Sequence, residues 1–287
     1  MKLLFNLFKI IFIFPNLKFS YFKYVKDKDF LLIESENLKN IQKQIKNDVD
    51  IIFPKIQELK QQKLKDLQYN FKITHLLSNE TTKNILNYFT DENFLTTISE
   101  HFGYKVKFSN FIVRYNYFNP KSPEEFGPKM WHRDNDSLFG QLKLFVVINQ
   151  LNDESGGHFY FIPQKFIPSH KKIYSNYSNE ENFSLDDSVS RIKNLDVNKK
   201  YNLDDKITKY GNNKSYALVL DTNETYHKGG FIKKEDSYRI LMQAVFEPKY
   251  MSLSNYSKFY NNIIYKYLKI FLLGVKNRLR LGMQSYD

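Results

Sequence analysis

Along residues 34–77 the apolar positions fall at helical spacing: Ile41, Ile45, Val49 and Ile52 are three or four apart and share one face. Pro54 is expected to interrupt this helix, because an interior proline removes a backbone donor and crowds the preceding turn. The pattern resumes over 56–67, with lysine and glutamine on the outer side. Two shorter helices follow over 81–89 and 92–102, begun by polar caps such as Ser78 and Thr90. Gly103 ends the second of them. The period then changes to two. Residues 105–117 alternate like paired strands, and Leu142-Lys143-Leu144-Phe145-Val146-Val147-Ile148-Asn149 reads as a buried strand. A polar turn through Gly156-Gly157 leads to His158-Phe159-Tyr160-Phe161-Ile162, closed by Pro163. Beyond a polar excursion, 215–221 and 238–246 give a final hairpin-like pair of strands.

Trp131-His132-Arg133-Asp134 stands just before the first apolar strand, and a second histidine, His227, precedes Arg239 by twelve positions. In extended chain, His-x-Asp sets an imidazole and a carboxylate on one side of a strand end. A further imidazole from a distant strand completes a face of two histidines and one carboxylate, a set that leaves positions open on ferrous iron. Each residue also has a plainer reading. His132 fits a histidine packed beside Trp131, Asp134 a cap for the turn with Asn135 and Asp136, and His227 a member of the Glu224-Thr225-Tyr226 loop. Their order, each at a strand edge, favours the ligand set. Arg239 alternates with apolar neighbours and shares a face with Leu241, Gln243 and Val245. An inward guanidinium needs a partner and can take a carboxylate through two parallel hydrogen bonds; at a strand end it can instead reach solvent.

With these pieces in place, the chain resembles the iron(II)- and 2-oxoglutarate-dependent oxygenases, and among them the phytanoyl-CoA dioxygenase-like branch. The resemblance covers about 111–248. It rests on Trp131-His132-Arg133-Asp134, on the turn and strand from Asn152 to Pro163 with Ser169-His170-Lys171, and on His227-Lys228-Gly229 with Arg239. It implies a mainly β protein with flanking helices: a double-stranded β-helix (jelly-roll, cupin-like) core with a helical N-terminal part packed on the outer sheet. It implies iron(II) on His132, Asp134 and His227, 2-oxoglutarate as cosubstrate with its far carboxylate on Arg239, and O2 as oxidant. The implied reaction is hydroxylation of a small-molecule, lipid-linked or sugar-linked substrate, with succinate and CO2 released. Halogenating relatives lack the carboxylate that Asp134 supplies. Two features depart from the family. Residues 164–168 replace the usual Pro-Gly before Ser169-His170, and Gly229 stands where relatives often carry a hydroxyl. Lys143, Tyr115 and Asn116, on neighbouring strands, are then the candidates for a second cosubstrate contact. His158 can line the pocket or face solvent, the second being the expectation, and His75 and His101 are expected to be ordinary surface or interface residues.

Composition narrows the alternatives. A chain of 287 residues with 42% hydrophobic and 17% aromatic content can bury a large core. With no cysteine, disulfides, zinc ribbons and iron-sulfur clusters are excluded. The net charge of +12 accompanies an abundance of Lys, Asn, Ile, Phe and Tyr, the bias of an AT-rich genome, and does not call for a nucleic-acid partner. The excursion 171–213 reads as a lid or insertion, with a brief helical turn at 189–195. Residues 1–24 are apolar and aromatic, broken by Lys2, Asn6, Lys9 and Asn16 on a narrow helical stripe; the run 3–14 is too short to span a bilayer. Residues 256–281 form a basic amphipathic segment, suited to a membrane interface or to docking on protein. The expected organisation is an apolar segment 1–29, a catalytic domain 30–250 and an amphipathic helical tail 251–287, in a cytoplasmic protein with peripheral contact at the inner face of a membrane. Oligomeric state is not legible. Two other classes stay open: a non-catalytic cupin-like metal or ligand binder, and a membrane- or nucleic-acid-binding module.

Overall fold

The computed structural model describes residues 29–64, 67–103, 105–124, 127–132, 134, 141–149, 151–166, 204–211, 216–222 and 225–248. The expectations for 1–24, 189–195 and 256–281, and for Ser169 and His170, lie outside them.

Strand β1 (Phe30–Glu34) leads into helix α1 (Glu36–Lys63). Ser35 starts the helix by accepting from the Leu38 amide at 3.1 Å, satisfying one of the donors that a helix start leaves bare. Contrary to the sequence expectation, α1 runs unbroken through Pro54. Leu38, Ile41, Ile45, Val49 and Ile56 are all buried along one face, so tertiary packing on both sides of Pro54 offsets the lost backbone bond. After β2 (Asn70–Lys72) come α2 (Asn79–Thr90) and α3 (Glu92–Phe102). Ser78 caps α2 as expected, but α3 is capped by Asp91 and not by Thr90: the Asp91 carboxylate accepts from the Phe94 amide at 3.0 Å, while the Thr90 hydroxyl turns back to the Leu86 carbonyl. Gly103 closes α3 with a φ of 72°, in the left-handed region.

The segment read as paired strands is a single long one, β3 (Val106–Tyr117), with a register irregularity between Phe108 and Asn110. It is followed by β4 (Leu142–Val147), β5 (Phe159–Ile162), β6 (Thr208–Tyr210), β7 (Tyr216–Asp221), β8 (Tyr226–Gly229) and β9 (Tyr238–Pro248). All pairing is antiparallel, in a large sheet of order β1-β7-β4-β9-β3-β2 and a small sheet of order β6-β5-β8. A bridge between His132 and His227 adds the 131–132 segment to the free edge of β8. In chain order, β3 lies in the large sheet, 131–132 in the small, β4 in the large, β5 and β6 in the small, β7 in the large, β8 in the small and β9 in the large. That alternation is the winding of a double-stranded β-helix.

The two faces of the large sheet separate two cores. On the outer face Val113, Tyr115, Leu144, Val146, Val219, Ile240, Met242 and Phe246 meet Ile41, Ile45, Phe89, Phe94 and Ile98 of the helices. On the inner face Phe145, Leu218, Leu220 and Leu241 meet Phe159, Phe161 and Tyr210 of the small sheet. Burial of each such side chain contributes ~1.5–3 kcal/mol. Alternation therefore assigns β9 cleanly: the even residues from Ile240 to Phe246 face the helices, and the odd set that starts at Arg239 faces the space between the sheets. No described helix is long and apolar enough to cross a membrane.

Candidate metal centre

His132 and His227 exchange both backbone hydrogen bonds, His132 N to His227 O at 3.0 Å and His227 N to His132 O at 2.9 Å. Directly opposed residues of an antiparallel pair point to the same face. Their rings accordingly lie with centroids 4.4 Å apart. Asp134, two residues beyond His132 and so on the same side, is fixed by its amide donating to the Thr222 carbonyl at 2.8 Å. Its carboxylate oxygens lie 3.7 Å from His132 Nε2 and 3.6 Å from His227 Nε2. One ligand atom from each of the three residues falls within 4.8 Å of the others, close enough to converge on one metal ion.

The imidazoles are oriented from behind. His132 Nδ1 is 2.8 Å from the Met130 carbonyl, and His227 Nδ1 is 3.0 Å from the Thr225 carbonyl. A carbonyl oxygen only accepts, so both Nδ1 atoms carry a proton, which leaves Nε2, turned toward Asp134, as the atom with which each imidazole would take a metal. Phe159 stacks on His227 at 5.6 Å and 25°, which walls the centre with an apolar ring. Burial alone would raise the pKa of Asp134. Nearby positive charge, the Lys143 ammonium 2.7 Å from Oδ2 included, outweighs it and holds the carboxyl below the usual carboxylate range. The donor set of two Nε2 atoms and one ionised carboxylate on a single face fits a divalent transition metal.

Arg239 lies on the inner face, 4% exposed. Nη1 donates to the Gly157 carbonyl at 2.7 Å and Nη2 to Asn116 Oδ1 at 3.0 Å. Nε has no hydrogen-bond partner, and no carboxylate pairs with the guanidinium among the described residues. Burial lowers its pKa to about 10, which leaves it a cation at neutral pH. Gly229 stands against this group: a Cβ built there would lie 3.4 Å from Nη2. Gly229 is two residues past His227 on β8, a same-face step of ~7 Å along the strand. A buried cation with no carboxylate partner among the described residues thus stands beside Gly229, two residues along β8 from His227.

The remaining candidates separate. Asn116 is on the inner face, opposite Arg239 in the β3–β9 register. Besides accepting from Nη2 it donates from Nδ2 to the Arg239 carbonyl at 3.2 Å, so it grips the arginine. Lys143 reaches the triad, with Nζ 2.7 Å from Asp134 Oδ2. Its register partner on β9 is Val245, ~20 Å along the strand from Arg239, so the two cations start from different ends of the space between the sheets. Tyr115 is a correction. It faces the helices, stacked on Tyr238 at 5.2 Å and accepting from Gln57 Nε2 at 3.1 Å, with its pKa pushed up to about 12 by burial. Side chains alternate along a strand, so with Asn116 pointing inward Tyr115 must point out. His158 is a second correction: it is 1% exposed, not solvent-facing.

Sequence reasoning also passed over Gly157, whose carbonyl anchors Arg239. Gly156 and Gly157 have φ of 69° and 79°, and a Cβ at either would run into Phe231 or Ile232. The glycine pair marked the turn, but its second role needed the fold.

No protein-family model and no curated protein matches the sequence. Solved structures do. The non-heme alpha ketoglutarate dependent epimerase SnoN from nogalamycin biosynthesis is 12% identical, with a TM-score of 0.36 and 62% of each chain covered. HygX from Streptomyces hygroscopicus with iron bound is 10% identical, with a TM-score of 0.44 and coverage of 82% of this chain and 87% of that one. AviO1 from Streptomyces viridochromogenes Tue57 is 9% identical, with a TM-score of 0.46 and coverage of 82% and 97%.

Proposed function

We propose that this chain is an iron(II)- and 2-oxoglutarate-dependent dioxygenase of the phytanoyl-CoA dioxygenase-like kind, hydroxylating a small-molecule, lipid-linked or sugar-linked substrate. One observation carries the reading: two imidazoles and a carboxylate converge within 4.8 Å, and a buried guanidinium without an acidic partner among the described residues stands beside Gly229, two residues along the strand from one of the ligands. A metal site alone would not require Arg239; a keto acid chelating through one end and ionised at the other uses both. His132, Asp134 and His227 would hold the iron, each through an atom already turned toward the common point. Arg239, steadied by Asn116 and the Gly157 carbonyl, would take the far carboxylate, its positive charge then matched inside the cavity. Iron, when bound with the keto acid, would supply the oxidising chemistry with O2 as oxidant: 2-oxoglutarate is decarboxylated to succinate and CO2, one oxygen atom of O2 entering succinate and the other the hydroxylated substrate. Phe145 and Phe159, packed with Phe161 and Leu241, form an apolar wall against His227 that keeps water from it.

Iron stoichiometry and succinate release test this together. The wild type is expected to bind one iron per chain and to form succinate from 2-oxoglutarate, more rapidly with its substrate present. His132→Ala is expected to lose both. A wild type that binds iron and forms no succinate with any of a set of lipid-, sugar- and amino-acid-based acceptors would instead mark a metal-binding β-helix without oxygenase activity.

A further inference from the structure

We infer that Lys143 couples the binding of metal and keto acid, by serving as the built-in counter-cation of Asp134 and opposing a metal ion that arrives alone. The inference rests on the reading of His132, Asp134 and His227 as the metal centre, and concerns a residue outside that ligand set. Lys143 comes from the large sheet and reaches toward the small-sheet side, where Nζ is 2.7 Å from Asp134 Oδ2 with both side chains about nine-tenths buried. An ammonium and a carboxylate so placed form a neutral pair that keeps Asp134 in its ligating position without a metal.

A divalent ion bound to the same carboxylate would lie only a few ångströms from Nζ. Like charges at that range and at low effective dielectric repel strongly, so Lys143 weakens metal binding by itself. The keto acid brings two negative charges, one at Arg239 and one at the metal end. The second relieves the repulsion, and the dianion and the metal each strengthen the binding of the other. Iron is then held firmly only when the cosubstrate is present.

The test is Mn(II) affinity with and without 2-oxoglutarate, by calorimetry, in wild type, Lys143→Met, Lys143→Gln and Lys143→Arg. Mn(II) does not oxidise in air and gives a readout independent of turnover. Lys143→Met and Lys143→Gln are expected to bind Mn(II) alone roughly tenfold or more tightly than wild type. They are also expected to show a smaller enhancement by 2-oxoglutarate, and Lys143→Arg to behave as wild type. Tightening is the sign that structural damage does not produce. If the wild type binds Mn(II) but the neutral variants bind it equally or more weakly, or keep the full enhancement, the coupling role is wrong and the metal centre stands. If the wild type binds no Mn(II) with or without the keto acid, the metal centre itself is wrong and the coupling falls with it. Should Lys143→Met not fold, Lys143→Gln carries the same comparison.

Discussion

Arg239 and Asn116 hold each other twice, the guanidinium donating to the amide oxygen at 3.0 Å and the amide nitrogen donating to the arginine carbonyl at 3.2 Å. The partner chosen for a buried cation is therefore neutral. A carboxylate in that place would satisfy the charge within the protein and leave nothing for a ligand to neutralise. Asn116→Asp makes that replacement at nearly constant volume. It is expected to weaken 2-oxoglutarate binding to the Mn(II)-loaded protein by ~10- to 100-fold, the worth of a charged hydrogen bond, with metal affinity little changed. Titration calorimetry reads both. Unaltered 2-oxoglutarate affinity would remove Arg239 from the cosubstrate site.

Gly229 leaves open the space beside the guanidinium. Its φ is not in the left-handed region, so a side chain is permitted there by the backbone, and the nearest atoms to an added Cβ are Arg239 Nη2 at 3.4 Å and the Pro128 carbonyl at 3.7 Å. Gly229→Ala is expected to bind 2-oxoglutarate within a few-fold of wild type. Gly229→Leu would fill the room that a carboxylate needs, with an expected loss of at least ~10-fold, while iron stoichiometry stays at the wild-type value. Equal affinity in the leucine variant would place the carboxylate elsewhere.

Tyr115 distinguishes the two faces of β3. Its phenol is 1% exposed in the core between sheet and helices. Tyr115→Ala is expected to cost ~3–5 kcal/mol of stability, as removal of a large buried aromatic does. Tyr115→Phe forfeits only the bond from Gln57, ~1 kcal/mol. Neither is expected to alter the dissociation constant of 2-oxoglutarate at a temperature where the variant is folded. Thermal melts with parallel titrations check the pair, and a specific loss of cosubstrate affinity in Tyr115→Phe would return this residue to the site.

What was legible in the chain followed from periodicity and from chemistry that few other arrangements need. The alternation over 238–246 gave the inward set of Arg239, Leu241, Gln243 and Val245, and the outward set from Ile240 to Phe246 packs on the helices as period two requires. His132, Asp134 and His227 were found as residue types at strand edges; that the two histidines face each other across one bridge is a matter of register, which the chain does not spell out. Tyr115 and Asn116 were both named although neighbours on a strand cannot share a face, and only pairing with Arg239 decides which points inward. The strands β1, β2 and β6 span three to five residues and carry too few positions to display a period. The continuity of α1 through Pro54 was hidden for a different reason, because a local penalty was overruled by burial on either side of it.

Lys129 offers a test in which pH alone is varied. It is 3% exposed, donates to Ser122 Oγ at 2.9 Å and to the Pro123 carbonyl, and sits 4.4 Å from the Tyr69 ring and 4.8 Å from that of Phe231. Burial lowers its pKa to about 8, with the charge of Glu124 acting the other way. In the unfolded chain the group titrates near 10.5. Between pH 8 and 10.5 the unfolded state therefore binds a proton that the folded state has released, and stability rises with pH wherever the unfolded state holds more protons. Below pH 8 both states are charged and the full cost of burying the ammonium is borne; above 10.5 both are neutral and it vanishes. The difference in denaturation midpoint between wild type and Lys129→Met is accordingly expected to move in favour of the wild type as pH is raised through this window. Taking the difference cancels the titration of groups common to both proteins. A difference that stays level from pH 7 to 10.5 would mean that the ammonium is as well solvated in the fold as in water.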